Sequence, residues 1–148
     1  MKIIHKNKKA YFDYKILEEM KAGIVLLGPE IKSIRKGDLS LKGAYVIINN
    51  NEPFVKGMNI RRYSYDQSEN YEPMKDRKLL LSKKELENID RQLKEQGVTI
   101  IPLFIGLEGK YAKLQIAIVK GKKQHDKRQT IKDRDVKREI GRAIKKFV

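Results

Sequence analysis

Four groups of residues in this chain have the types and spacing to do chemistry, and all four suit the binding of a polyanion. Asn7, Lys8 and Lys9 stand together near the start, and Lys32, Arg35 and Lys36 share one side of the short segment GPEIKSIRKG. Arg77 and Lys78 open RKLLL, and in GKKQHDKR the cations Lys122, Lys123, Lys127 and Arg128 surround His125 and Asp126. Lysine and arginine displace the counterions condensed on a nucleic acid, so each cluster can neutralise phosphates. A charge run is by default only a solvated face, and a joint phosphate site requires the fold to bring the clusters together. Tyr63, Tyr65 and Tyr71 add rings of the kind that stack on unpaired bases, although surface or core packing is the commoner use of a tyrosine. His125 is the only aromatic surface in its own segment, and a flat ring among cations can stack on a base.

No comparable constellation for catalysis is present. The chain has no cysteine, which removes disulfides, thiolate metal sites and cysteine nucleophiles together. His5 and His125 are its only histidines, too few for a His-rich zinc site. Ser-His-Asp, paired-carboxylate and phosphate-loop patterns are missing. Asp133 and Asp135 alternate with Lys132 and Arg134, whose charge opposes a bound cation. The expectation is a binding protein without a cofactor, one that makes and breaks no bond.

The 148 residues allow one domain and a tail. Lys and Arg number 34 against 19 Asp and Glu, a formal +15, and residues 120–148 hold 12 basic and 4 acidic side chains, so +8 sits in that last stretch. So basic a chain points first to nucleic acid and second to an anionic membrane surface. No apolar run approaches the roughly 20 residues of a membrane span. The start, MKIIHKNKKA, lacks the apolar stretch of a signal peptide. A soluble cytoplasmic protein is the expectation.

The elements that must position these residues can be read from pattern. Alternation from Tyr11 through Phe12, Tyr14 and Ile16, and the run Ile24 to Leu27, read as two early strands. In GPEIKSIRKG, Pro29 suits the first helical position and Gly37 the residue past the end. Tyr45 to Ile48 and Phe54–Val55, with Asn49 to Asn51 between them, read as a hairpin. Residues 61–78 form a long polar loop. Ser82 as N-cap with Glu85 at N3 is a capping box, Leu81 and Leu86 form its staple, and Gly97 is expected to end that helix. VTIIPLFI is a strand whose Pro102 belongs at an edge or bulge. A turn from Gly106 to Gly109 then leads into a strand with Ala112, Leu114, Ile116 and Ile118 on one face and Lys113 and Gln115 on the other.

Short strands, hairpins and two helices predict a mainly β fold with α, a small antiparallel oligonucleotide-binding-type (OB-like) barrel with flanking helices and a basic C-terminal tail. The RNA-binding barrel is expected over residues 1–120 and the tail over 121–148. The tail has too few apolar groups for a core and is expected to be disordered when free. Val136, Ile140 and Ile144, with Ala143 and Phe147 nearby, recur at helical spacing, so a partner covering that stripe would fold it.

NKKAYFDY, GPEIKSIRKG, RKLLL, and GKKQHDKR followed by KDRDVKRE resemble, in order and over nearly the whole chain, the small protein B family. These are bacterial transfer-messenger-RNA-binding proteins of trans-translation, or ribosome rescue. The resemblance implies a protein that binds the tRNA-like domain of transfer-messenger RNA and delivers it to stalled ribosomes. It also implies, through that RNA, elongation factor Tu and alanyl-tRNA synthetase as partners, with no membrane. By residue match, Asn7, Leu80 and Lys113 fall on RNA-binding positions, Asp126, Lys127 and Arg128 on the tail motif, and His125 on a position that stacks at the small-subunit decoding centre. The tail, with Lys122, Lys123, Lys132, Arg134, Lys137 and Arg138, is implied to enter the vacant messenger-RNA channel as a helix. Two positions depart from the family. Relatives often read Glu-Ala-Gly where this chain has Lys21, Ala22 and Gly23, and His where it has Phe12. The alternative is a ribosomal or general structural RNA-binding protein, which would share the charge and the barrel.

Overall fold

The computed structural model describes residues 1–66 and 70–121. The elements run β1 (Lys2–Lys6), α1 (Lys8–Asp13), β2 (Tyr14–Ile24), α2 (Gly28–Arg35), β3 (Leu39–Ser40), β4 (Tyr45–Asn49), β5 (Glu52–Lys56), β6 (Asn59–Ile60), β7 (Arg77–Leu80), α3 (Lys83–Gln92), β8 (Val98–Glu108) and β9 (Tyr111–Gly121). The expectations placed on Lys122, Lys123, His125, Asp126, Lys127, Arg128, Lys132, Arg134, Lys137 and Arg138, and on the stripe through Val136, Ile140 and Ile144, lie outside the described residues.

The strongest apolar runs form the centre of the fold. β8 and β9 pair antiparallel from Val98↔Lys120 to Glu108↔Tyr111, and β9 pairs along its other edge with β2. The main sheet has the order β1-β8-β9-β2-β7-β5-β4, and β3 pairs with β6 in a small second sheet. The main sheet rolls until β4 packs against β8. No ladder joins the edge strands β1 and β4, so the expected OB-like barrel is present in outline as a curled, unclosed sheet.

Inside the roll, Ile100, Ile105, Leu114, Ile116 and Ile118 pack with Ile34 of α2, Ile89 of α3, and Leu41, Met58 and Ile60. Each such side chain contributes roughly 1.5–3 kcal/mol on burial. A smaller core lies on the opposite face of the same strands, where Ala10 of α1 covers Ile101, Leu103, Ala117 and Val119. Having apolar groups on both faces makes β9 read as a nearly continuous run beyond Ile116.

Local signals were followed closely where the hydrogen-bonding partners are close in sequence. Ser82 Oγ accepts from the Glu85 N–H at 3.2 Å and Glu85 Oε1 accepts from the Ser82 N–H at 2.9 Å, the reciprocal pair expected of the capping box. Asn50 and Asn51 adopt φ of 52° and 60° between β4 and β5, and Gly37 follows α2 with φ 78°. Pro102 sits at a bulge between β8 and β9.

Several element assignments need correction. The two early strands are one, β2, and Tyr11 and Phe12 belong to α1, which follows Asn7 and buries Ala10 against β8 and β9. Val25 and Leu27 lie beyond β2, and both are exposed. α3 ends at Gln92 with Leu93 as C-cap, and Gly97 (φ 79°) lies in the connection to β8. The turn between β8 and β9 is confined to Gly109 and Lys110, and Gly106 is inside β8. A Cβ on Gly106 would stand 2.5 Å from Met1 Sδ and 2.8 Å from the Lys2 carbonyl, so glycine here permits the close approach of β1.

Candidate nucleic-acid interface

Register across the outer face of the sheet brings two of the expected RNA contacts into one row. Gly23 of β2 lies opposite Leu80 of β7 on one side and Lys113 of β9 on the other, and Lys113 lies opposite Gly106 of β8. Directly opposed residues of an antiparallel ladder project from the same face. Leu80, Gly23, Lys113 and Gly106 therefore form one line in which a leucine and a lysine alternate with residues that have no side chain. Leu80 is 56% exposed and Leu79 is 1% exposed, so the period of two separates adjacent leucines into outer surface and core. A Cβ on Gly23 would meet Leu80 Cβ at 3.2 Å, so the glycine lets Leu80 lie down along the sheet.

Lys21 reaches across this face to form an ion pair with Glu108. That hydrogen bond holds the Glu108 carboxyl below its ordinary range against the opposing effect of desolvation, with help from the charges of Lys21, the N-terminus and Lys113. One carboxylate thus sits among several cations. Nothing in the local sequence marks Lys21 as part of it, since the pairing spans 87 residues.

Asn7 occupies the junction of β1 and α1. Its N–H donates to the Leu103 carbonyl at 2.7 Å, and Nδ2 donates to the carbonyls of Pro102 at 3.1 Å and Leu41 at 3.4 Å. Pro102 and Leu103 lie at the bulge in the pairing of β8 with β9. Asn7 lines a groove with Lys9, Tyr14, Lys42 and Tyr45, and Lys8 lines an adjoining one. Lys8, Lys9 and Lys42 are exposed. Lys42 joins the cluster only through the fold, and its own context, SLKGAY, marks nothing beyond a turn.

Lys32, Arg35 and Lys36 are exposed on α2. Among the described residues, no hydrogen bond, ion pair or shared groove joins them to Lys8 and Lys9. Lys78 is exposed and pairs with Glu52 at 3.2 Å.

Arg77 corrects the reading of RKLLL as a surface cluster. It is 2% exposed. Its Nε donates to Glu30 Oε2 at 2.7 Å, and Nη1 donates to the carbonyls of Met58 at 2.8 Å and Lys75 at 3.2 Å. Nη2 donates to the Pro73 carbonyl at 3.0 Å and to Tyr71 Oη at 3.2 Å. A guanidinium has five N–H donors, and these contacts account for all of them, so none remains for a phosphate. Tyr71, a candidate stacking ring, instead bridges the Ile60 carbonyl at 2.9 Å and Glu30 at 3.1 Å. Burial and then the Glu30 charge push its hydroxyl pKa up. Burial also pushes the Glu30 carboxyl up, but the Leu27 N–H, Arg77 and Lys75 outweigh it and hold the carboxyl below its ordinary value. The even spacing of Arg77 and Leu79 along β7 is the signal that places both inside.

The family model described as SmpB protein matches residues 4–146. An SsrA-binding protein of Mycoplasma mycoides subsp. mycoides SC is 49% identical over 137 residues, covering 92% of this chain and 93% of the relative. One from Enterococcus hirae is 44% identical over 146 residues, covering 99% and 95%. A solved structure described as "tmRNA-SmpB: a journey to the center of the bacterial ribosome" superposes with a TM-score of 0.68 at 35% identity, covering 81% of this chain and 85% of that one.

Proposed function

The chain belongs to the SmpB protein family, and on that premise we propose that it binds the tRNA-like domain of transfer-messenger RNA and delivers it to stalled ribosomes in trans-translation. The observation that carries the reading is the row Leu80, Gly23, Lys113 and Gly106. It combines an exposed apolar side chain and a cation on one face of the sheet, with Gly23 between them. A-form grooves hide base edges from side chains, so folded RNA is read by shape, sugar and phosphate. Lys113 can meet a phosphate of a strand laid across this face, and Leu80 gives that strand an apolar surface to press on. Asn7, Lys8, Lys9 and Lys42 supply further polar and cationic contact from the junction of β1 and α1.

The segment from 121 to 148 is proposed to act on the ribosome through Lys122, Lys123, His125, Asp126, Lys127, Arg128, Lys132, Arg134, Lys137 and Arg138. It would probe the vacant messenger-RNA channel, where phosphates neutralise it and a partner surface covers Val136, Ile140 and Ile144. Elongation factor Tu and alanyl-tRNA synthetase enter through the shared RNA, and the cytoplasm is the compartment in which they meet. The mechanism is binding and steric probing.

Isolating the protein from its cells and sequencing the RNA bound to it tests the reading. Transfer-messenger RNA should dominate, and a pool of ribosomal RNA alone would favour a general RNA-binding role. With purified RNA, Lys113→Gln should weaken binding and reduce the slope of log affinity against log salt by about 1. An unchanged slope would remove Lys113 from the phosphate contacts.

A further inference from the structure

On α2, Lys32 and Lys36 meet aromatic rings. Lys36 Nζ stands 4.9 Å from the ring centre of Tyr63 and 5.9 Å from that of Tyr65, and Lys32 Nζ stands 5.4 Å from Tyr63. The two rings are 5.4 Å apart and inclined at 58°. Lys21, Lys56, Lys75, Lys78 and Lys120 each pair with a carboxylate. Among the described residues, Lys32 and Lys36 have no carboxylate within ion-pair distance, and exposed Arg35 adds a further positive charge. Packing does not explain the aromatic pair, because Tyr65 is 77% exposed and buries little of its ring. A stacking ring bordered by unpaired ammonium groups is the arrangement by which proteins hold unpaired nucleotides: the base lies on the ring and the flanking phosphates meet the cations.

We propose that Tyr65, supported by Tyr63 and bordered by Lys32 and Lys36, is a second RNA site that takes an unpaired base and its flanking phosphates. Building on the function proposed above, its occupant is a single-stranded segment of the transfer-messenger RNA already held at the outer sheet face. An RNA bound at one site presents its other segments at high effective concentration, so a modest stacking site suffices to engage them. The two sites differ in chemistry. The sheet face offers Leu80 and Lys113 to a folded strand, whereas α2 and the loop after β6 offer a ring to an extruded base.

Full-length wild type, Tyr65→Ala, Tyr65→Phe and the double variant Lys32→Gln/Lys36→Gln separate the possibilities in filter binding to transfer-messenger RNA. Tyr65→Ala should weaken binding about 5- to 10-fold, and Tyr65→Phe should bind as wild type. The double variant should reduce the salt slope by about 1.4, the share of two phosphates on a single strand. Unchanged melting temperatures would exclude loss of fold. If wild type binds and every variant binds equally well with the same slope, the second site is refuted while the sheet face stands. Variants that lose sedimentation with purified ribosomes but keep full affinity for transfer-messenger RNA would overturn the assignment of the occupant. Failure of wild type to bind that RNA would refute the function proposed above, and this proposal with it.

Discussion

Arg77 and Lys78 are adjacent cations of one short strand, yet they belong to regions with opposite physics. Arg77 points inward, where Glu30, Tyr71 and three backbone carbonyls take all its donors, and it ties α2 to β7 and to the chain between β6 and β7. On the outer surface, Leu80 shares a row with Lys113, with Gly23 between them. In the first region charge is satisfied internally and serves the fold. In the second, Lys78 and Lys21 pair with carboxylates at the exposed surface, and among the described residues Lys113 has no carboxylate within ion-pair distance. Accessibility of donors, and not the number of cations, distinguishes a binding surface from a structural cluster in this protein.

The contrast is broken most severely at Arg77. Arg77→Ala should cost about 3–5 kcal/mol, because Glu30 is left buried without its partner, and thermal unfolding should register it as a large fall in Tm. RNA affinity measured well below that Tm should remain near wild type. A fully folded variant with weak binding would return Arg77 to the interface.

Acid sharpens the same point. Glu30 has its folded pKa below the ordinary 4.5, so its contribution to stability is present above that value and is lost as pH falls through the folded pKa. Tm should therefore decline below about pH 4.5 more steeply in wild type than in Glu30→Gln/Arg77→Met. Parallel curves would show that the cluster adds nothing to acid sensitivity.

Leu79 and Leu80 provide a paired test on the same strand. Leu79→Ala should cost about 2–5 kcal/mol by opening a cavity in the core. Leu80→Ala should stay within about 0.5 kcal/mol of wild-type stability while weakening RNA binding. Chemical denaturation and filter binding read the two effects, and equal losses of stability would contradict the outward placement of Leu80.

The smallest expected effect is at Ser82, remote in character from both regions. Ser82→Ala removes the N-cap acceptor and should cost about 1 kcal/mol, with RNA affinity at permissive temperature unchanged. A loss of affinity in the folded variant would make Ser82 a contact.

The amino-acid sequence by itself determined the features whose hydrogen bonds close over a few residues. The capping box at Ser82 and Glu85, the Asn50–Asn51 turn and the glycine after α2 depend on backbone groups within one turn of the side chain or backbone that satisfies them. Periodicity likewise gave the core face of β9 from Ala112 to Ile118, since alternate residues share a face whatever the partner strand. Tertiary structure alone decided that Tyr11 and Phe12 are helical, that Arg77 is interior, that Lys21 pairs with Glu108 and that Lys42 lines the groove beside Asn7. Those outcomes depend on cross-strand register and on contacts such as Asn7 with Pro102, 95 residues apart, or Arg77 with Glu30, 47 apart. A local pattern can say that a cation must either face water or find partners. Which of the two occurs is set by the strands and carbonyls that the rest of the chain brings to it.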